Sequence, residues 1–364
     1  VKATVFDGVS VEIADILLAP PGPGEVLVDI AAAGVCHSDL HVMRREWKVP
    51  LPLVMGHEGS GVVAAIGEGV TTLKVGDHVV LSWVPNCGKC RYCLLGRPAQ
   101  CQLVAEVVAS QGLLYDKTSR LSRNGKMIHH YLGVSSFAEQ AVVPESGAIK
   151  VRSDAPLDLI AIIGCAIATG VGAVRNTAKM PRGATTAVIG CGGVGLAVIQ
   201  GARLEGASVI VAVDISEQKL EIAKKLGATH TLLVTPSIDV PNTLKEIVPA
   251  GLDYIFDAIG KIQTTEQSIQ ALGLGGSAVI VGLPQMGQSA RFDPLSLAEA
   301  DQRILGCNYG SSIPTRDIPR LVDELMQGDL DLESMISARR PLGEAESALK
   351  DLAAGTALRQ LLLP

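Results

Sequence analysis

The stretch "TTAVIGCGGVGLAVIQGARLEGASVIVAVD", Thr185 to Asp214, carries the reading of the fold. "TTAVI" is a short apolar run of the kind that forms a buried strand, and "SVIVAVD" is a second one. Between them, "GVGLAVIQGARLEGA" is long enough and small enough in its side chains to be a closely packed helix. The turn into that helix is Gly190-Cys191-Gly192-Gly193-Val194-Gly195, with Gly190, Gly192 and Gly195 in G-x-G-x-x-G spacing. The first glycine permits the tight turn, the second lets backbone approach a pyrophosphate, and the third lets the helix lie on the strand. The unpaired N–H groups of the first helical turn then face the anion. In a chain with 39 glycines such spacing alone is weak. Here a strand precedes it, a helix follows, and Asp214 ends the next strand about 20 residues on. Asp214 can accept hydrogen bonds from the adenosine ribose hydroxyls, and its charge would repel a 2′-phosphate. The expected cofactor is therefore NAD rather than NADP.

Working outward, "SEQKLEIAKKLGA" reads as a capped amphipathic helix, and "LDYIFDAIG" and "GSAVIVGL" as later strands. Alternating strands and helices predict a doubly wound parallel sheet, an α/β arrangement. Upstream, short apolar runs such as "EVLVDIAAAGV", "GSGVVAAIG" and "GDHVVLSW" are separated by Gly, Pro and Asp, which predicts a compact, partly barrel-like β domain. Residues 303–364 return to mixed segments. A length of 364 residues suits two domains. The division expected is 1–160 with 303–364 for the β-rich domain and 161–302 for the nucleotide domain. The net charge of −6 and the lack of a long basic block argue against nucleic acid as a partner. No apolar run reaches the roughly 18 residues that span a bilayer, and the first residues alternate like a strand. A soluble, cytoplasmic protein is expected. Residues 102–131, with Lys117, Arg120, Arg123 and Lys126, are the least patterned and read as a solvated surface loop.

Four of the eight cysteines, Cys87, Cys90, Cys93 and Cys101, stand in C-x2-C-x2-C-x7-C spacing. Four thiolates suit a closed tetrahedral zinc site with no position for substrate. A cubane iron–sulfur cluster is the rival, since close C-x2-C-x2-C runs also bind those. Catalytic zinc instead keeps three protein ligands and one open position. Cys36 in "GVCHSDLH" and His57, beside Glu58 in "GHEGSG", both follow strand-like runs and could converge. Cys165 in "GCAIATG" lies where a cleft before the nucleotide domain would form, though a plain buried thiol is an equal reading from spacing. Trp47 and Trp83 are the only tryptophans, and tryptophans are commonly core anchors.

Taken together, "GVCHSDLH", "GHEGSGVV", "CGKCRYC" with its fourth cysteine, "GCAIATG", "GCGGVG" and "AVD" occur in the order seen in zinc-dependent medium-chain alcohol dehydrogenases. The chain resembles that family over essentially its whole length. The resemblance implies a GroES-like β-rich catalytic domain and a Rossmann domain. It also implies two Zn2+ per chain. Alcohol dehydrogenase is itself the standing example of a catalytic zinc held by two cysteines and one histidine, so that ligand set comes with the resemblance. It makes Cys36, His57 and Cys165 the catalytic ligands, with Glu58 a buried acid behind the metal, and Cys87, Cys90, Cys93 and Cys101 the structural ligands. Ser38 resembles the hydroxyl that bonds the alcohol, and His41 the outer end of a proton relay running through Ser38 and the nicotinamide ribose. Asp39 is similar to a carboxylate that orients His57. His37 and Arg359 match residues near the cofactor pyrophosphate, and Lys219 one near the adenosine ribose. Thr169, Val194 and the stretch Val281 to Leu283 resemble nicotinamide contacts, and Trp47 and Trp83 match substrate-pocket positions. Two indoles there imply small primary alcohols and their aldehydes. The same family contains thiol-adduct formaldehyde dehydrogenases, for which the basic residues of 102–131 could serve an anionic thiol. A non-catalytic NAD(H)-binding protein on this fold is the remote alternative. Family members are homodimers or homotetramers.

Overall fold

The computed structural model describes residues 1–364. The chain divides into two units, Val1–Cys165 with Ile313–Pro364, and Ala166–Ser312.

The second unit is built around a six-stranded parallel sheet. In spatial order its strands are His230–Leu233, Val209–Asp214, Thr185–Ile189, Leu252–Asp257, Leu272–Ile280 and Arg303–Gly306. Counted along the chain this is 3-2-1-4-5-6, the doubly wound order whose ligand crevice opens where strand order reverses. That point is the carboxyl end of Thr185–Ile189 beside Leu252–Asp257, paired in register from Thr186↔Tyr254 to Ile189↔Asp257. Ala187, Ile189, Val211, Val213, Leu244, Ile255 and Ala278 share one buried cluster, which is why these strands are nearly continuous apolar runs. The helix Glu217–Leu226 starts at Ser216, whose side chain accepts from the Lys219 N–H, and stops at Gly227 with φ +125°. The sequence division at 302/303 needs correction. Arg303–Gly306 pairs in parallel with Leu272–Ile280, so the second unit continues to Ser312. Four residues with charged and glycine neighbours give too little period to be read as a strand.

The first unit holds two sheets. The long strand Glu25–Val35 is the axis of the larger one. It pairs with Gly59–Ile66 on one side and with Gln140–Pro144 and Arg359–Leu363 along the other. The C-terminal strand thus returns beside the residues that lead into Cys36, with Gln360↔Val35 and Leu361↔Gly34 in register. The second sheet carries Lys2–Phe6, Leu53–Val54 and the hairpin Leu121–Arg123 with Lys126–His130. That hairpin corrects the reading of 102–131 as a solvated loop. Val104, Val107, Val108, Leu114 and Tyr131 are buried. Arg120 forks onto Glu25 with two bonds of 2.8 Å and reaches Asp116 at 2.6 Å. Its partner Glu25 opens a strand of the other sheet, 95 positions away in the chain, which composition alone does not disclose. No single helix of the chain is long and apolar enough to cross a membrane.

Candidate active site and metal centres

Strand Glu25–Val35 ends at Cys36, which caps the helix His37–Met43. Asp39, three residues on, accepts the Cys36 backbone N–H at 3.1 Å and so closes the cap from its side. Its other oxygen lies 3.2 Å from His57 Nδ1. Asp39 and His57 are both buried, and Nε2 of His57 is buried with no hydrogen-bond partner. Cys36, His57, Glu58 and Cys165 bring their ligand atoms within 4.8 Å of one another. A buried, unpartnered imidazole nitrogen facing two thiols is the donor set of a soft divalent ion, and zinc fits it. Cys165, ambiguous by spacing, is therefore in the cluster. Hydrogen bonding from Cys165 holds the Cys36 thiol well below its ordinary range, and the same bond with burial pushes Cys165 well above. Burial works against a charged His57, but the Asp39 carboxylate overrides it and holds the imidazole well above its usual value. Such a carboxylate makes a histidine a more basic metal ligand.

Behind the cluster, Glu58 forms an ion pair with Arg359. Both are buried. Burial raises the Glu58 carboxyl to about 7 against the opposing pull of Arg359. Gly34 makes room for the pair. A Cβ there would overlap Glu58 Oε2 and stand 3.1 Å from Arg359 Nη2. Arg359, expected near the cofactor pyrophosphate, has its guanidinium committed to Glu58 in this structure.

Ser38 Oγ lies 3.9 Å from Cys36 Sγ, and His41 stands on the same helix face three residues later. Two neighbours of this path, Tyr131 and Glu46, carried no signal in the sequence. Tyr131 donates its hydroxyl to the Ser38 carbonyl at 3.2 Å and meets the His57 ring edge-on, centroids 5.5 Å apart. Glu46 bonds His41 Nδ1. Trp47 stacks on the His41 ring at 4.6 Å, whereas Trp83 is partly buried against the Val26–Val28–Leu81 cluster of the larger sheet. His37 opens the helix and is exposed.

The sulfurs of Cys87, Cys90, Cys93 and Cys101 also lie within 4.8 Å of one another. Cys90 Sγ is 3.5 Å from Cys93 Sγ and 4.0 Å from Cys101 Sγ. Four sulfurs at 2.3 Å from one zinc would stand about 3.8 Å apart, so a single ion fits and a cluster of several irons does not. Backbone N–H groups point at the sulfurs, Cys87 to Cys101 and Cys90 to Cys87, each at 3.3 Å. Backbone hydrogen bonding, first from Cys93, lowers Cys90 to about 6, while burial raises Cys93 to about 12.

In the second unit the glycine turn has the shape its spacing predicts. Gly190 has φ +96°, a Cβ on Gly195 would overlap the Gly190 carbonyl, and a Cβ on Gly192 would meet nothing within 4 Å. Gly193 and Val194 open the helix Gly193–Leu204. Asp214 braces the turn, accepting the Cys191 N–H at 2.7 Å and the Ser216 N–H at 2.9 Å. Asp257, unremarked in the sequence, accepts from Ile259, Gly260, Thr264 and Thr265 and so shapes the neighbouring loop. Thr169 and Val281 are buried, Lys219 and Val194 half-buried, and Leu283 exposed.

Comparison with known proteins agrees with this geometry. Residues 22–153 match the alcohol dehydrogenase GroES-like domain and residues 193–327 the zinc-binding dehydrogenase family. An S-(hydroxymethyl)glutathione dehydrogenase of Escherichia coli is 36% identical, over 98% of this chain and 96% of its own. The crystal structure of an alcohol dehydrogenase zinc-binding domain protein from Burkholderia ambifaria superposes with a TM-score of 0.95 at 38% identity, covering 100% of this chain and 98% of that one. Benzyl alcohol dehydrogenase from Acinetobacter calcoaceticus gives 0.94 at 37% identity with the same coverage. With both domain models matched and identity sustained across nearly the full length, the chain belongs to the zinc-dependent medium-chain alcohol dehydrogenase family.

Proposed function

We propose that the chain reversibly oxidises a primary alcohol to an aldehyde with NAD+ as acceptor. Zinc would be held by Cys36, His57 and Cys165, and a structural zinc by the four-cysteine cluster. The observation that carries this is the buried, unpartnered His57 Nε2 set among two cysteine sulfurs with the Ser38 hydroxyl alongside. When bound, zinc supplies the Lewis acidity that lowers an alcohol's pKa, and NAD+ supplies the hydride acceptor. The chain's own residues do the rest. Asp39 fixes the tautomer of His57, Ser38 takes the hydroxyl proton, and His41, half-exposed, hands it towards water. The glycine turn offers its N–H groups to the pyrophosphate, with His37 and Arg359 as further contacts. Asp214 and Lys219 flank the adenosine ribose, and Thr169, Val194, Val281 and Leu283 meet the nicotinamide. Arg359 serves the pyrophosphate only if its guanidinium also reaches past Glu58. All eight cysteines are unpaired, in keeping with a reducing, cytoplasmic setting.

The second reading, oxidation of a formaldehyde–thiol adduct, is favoured by the names of curated relatives. Two of the four basic residues offered for an anionic thiol are already engaged. Arg120 is taken by Glu25 and Asp116, and Arg123 by Glu12. Trp47 beside His41 supports a preference for small alcohols. NADH absorbance with ethanol, benzyl alcohol, a bulky secondary alcohol, and formaldehyde with and without glutathione tests both readings. Turnover of primary alcohols that falls at least 100-fold in Ser38→Ala, with NAD+ affinity kept, supports the first. Oxidation seen only with formaldehyde plus thiol replaces it with the second.

A further inference from the structure

The helix His37–Met43 is pinned by Leu40 and Val42, buried in one cluster with Leu349 and Leu352. Just past it the chain folds back on itself. Arg45 takes φ +57°, and the Glu46 backbone N–H donates to the His41 carbonyl at 2.9 Å. The Glu46 carboxylate then reaches His41 Nδ1, and the Trp47 indole lies on the ring face, 20° from parallel. One residue is thus tied to His41 through backbone and side chain together. A carboxylate is acceptor-only, so Nδ1 carries the hydrogen, and a neutral imidazole so bonded has its lone pair on Nε2. A ring flip would break the bond to Glu46. His41 and Glu46 are each 25% exposed, so water reaches the pair.

We infer that Glu46 is a positioning residue for proton release: it holds His41 as the Nδ1–H tautomer and leaves Nε2 as the atom that accepts the departing proton. The inference rests on the reading of His41 as the outer end of the proton path. The proton arriving from Ser38 forms a new N–H bond at Nε2. That bond then breaks to water, while Nδ1 keeps its hydrogen, bonded to Glu46. Nothing in "RREWK" marks this acid, because a carboxylate among arginines and lysine reads as solvated surface.

The test uses the full-length enzyme loaded with zinc and NAD+. Nitrogen-15 NMR of the histidine rings, with His41 assigned by its loss in His41→Gln, should show the Nδ1–H tautomer in the parent. In Glu46→Ala the Nε2–H form should appear. Alcohol turnover should fall about 10-fold, part of the ~10²–10⁴ that positioned acid–base groups supply. KM for NAD+ should stay within about 2-fold. In a His41→Gln background the same change should alter turnover by less than about 2-fold, because its only route is through His41. Glu46→Gln, isosteric, reads the same effects if the alanine variant folds poorly. Parental turnover with an unchanged tautomer in both variants, or an equal loss in the His41→Gln background, overturns the inference alone. No loss in His41→Gln itself overturns the proton-path reading and this inference with it.

Discussion

Asp39 holds two structures at once, and replacing it by asparagine separates them. Its two oxygens serve His57 Nδ1 at 3.2 Å and the Cys36 N–H at 3.1 Å, with the side chain fully buried. Asparagine keeps one carbonyl oxygen and turns the other position into an N–H donor. If the oxygen faces His57, the Cys36 N–H meets a donor and loses its partner, at about 1–3 kcal/mol. The His57 bond also loses its charge assistance, a drop from about 1.5–3 to about 1 kcal/mol. Together the change removes roughly 1.5–5 kcal/mol, shared between helix capping and the metal ligand. The share falling on the ligand should weaken zinc at Cys36–His57–Cys165 by about 10–100-fold, as expected when a histidine ligand loses its carboxylate. Competition with a graded chelator, read as zinc released per chain, measures this. The four-cysteine site is the internal control, since Asp39 is not among its ligands. One zinc should leave at lower chelator and the other should not move. Affinity within about 3-fold of the parent, or equal weakening of both sites, would refute the reasoning.

Gly34→Ala should unsettle the Glu58–Arg359 pair, since the new Cβ overlaps the Glu58 carboxylate and abuts Ile162 and Arg359. Overpacking of this kind removes about 1–3 kcal/mol, so the melting temperature should drop by several degrees, and unchanged melting would show that the pair can shift freely. His130 is buried, and burial first, then the charge of Arg120, lowers its pKa to about 3. It stays neutral in the folded chain while the unfolded chain protonates near 6.5, so stability is full above pH 6.5 and falls as pH drops towards 3. At pH 5 the loss is about 2 kcal/mol. His130→Gln, which can still accept the Arg120 N–H that His130 accepts at 3.2 Å, should melt with a visibly flatter pH dependence between 7 and 5.

The parts legible in the sequence are those set by contacts within a few residues. The glycine turn follows from backbone sterics, because the Gly195 position abuts the Gly190 carbonyl five residues earlier. The four cysteines follow from the short reach of a single ion, and the Ser216 cap from one side chain bonding an N–H three residues on. Cys36 and His57 were visible as candidates because imidazole and thiol after strand-like runs carry chemistry of their own. Glu46, Tyr131 and Asp257 were not, since an acid before tryptophan, a tyrosine after two histidines and an aspartate ending a strand each have common structural uses.

By itself, then, the sequence determined the doubly wound parallel sheet, the closed cysteine cluster and the residue types of an open one, all governed by local periodicity, turn geometry and ligand spacing. Only the tertiary structure decided what stands behind the open site. Strand Arg359–Leu363 returns to pair beside Gly34 and Val35, bringing Arg359 onto Glu58 from 301 positions away in the chain. It also gave residues 102–131 a helical segment, Val104–Ala109, and a hairpin, and spent Arg120 on Glu25, 95 positions distant. The physical reason is the same in both cases. A buried charge must find its opposite wherever the sheets bring one close, and strand pairing across hundreds of residues leaves no periodicity in the sequence from which to read the match.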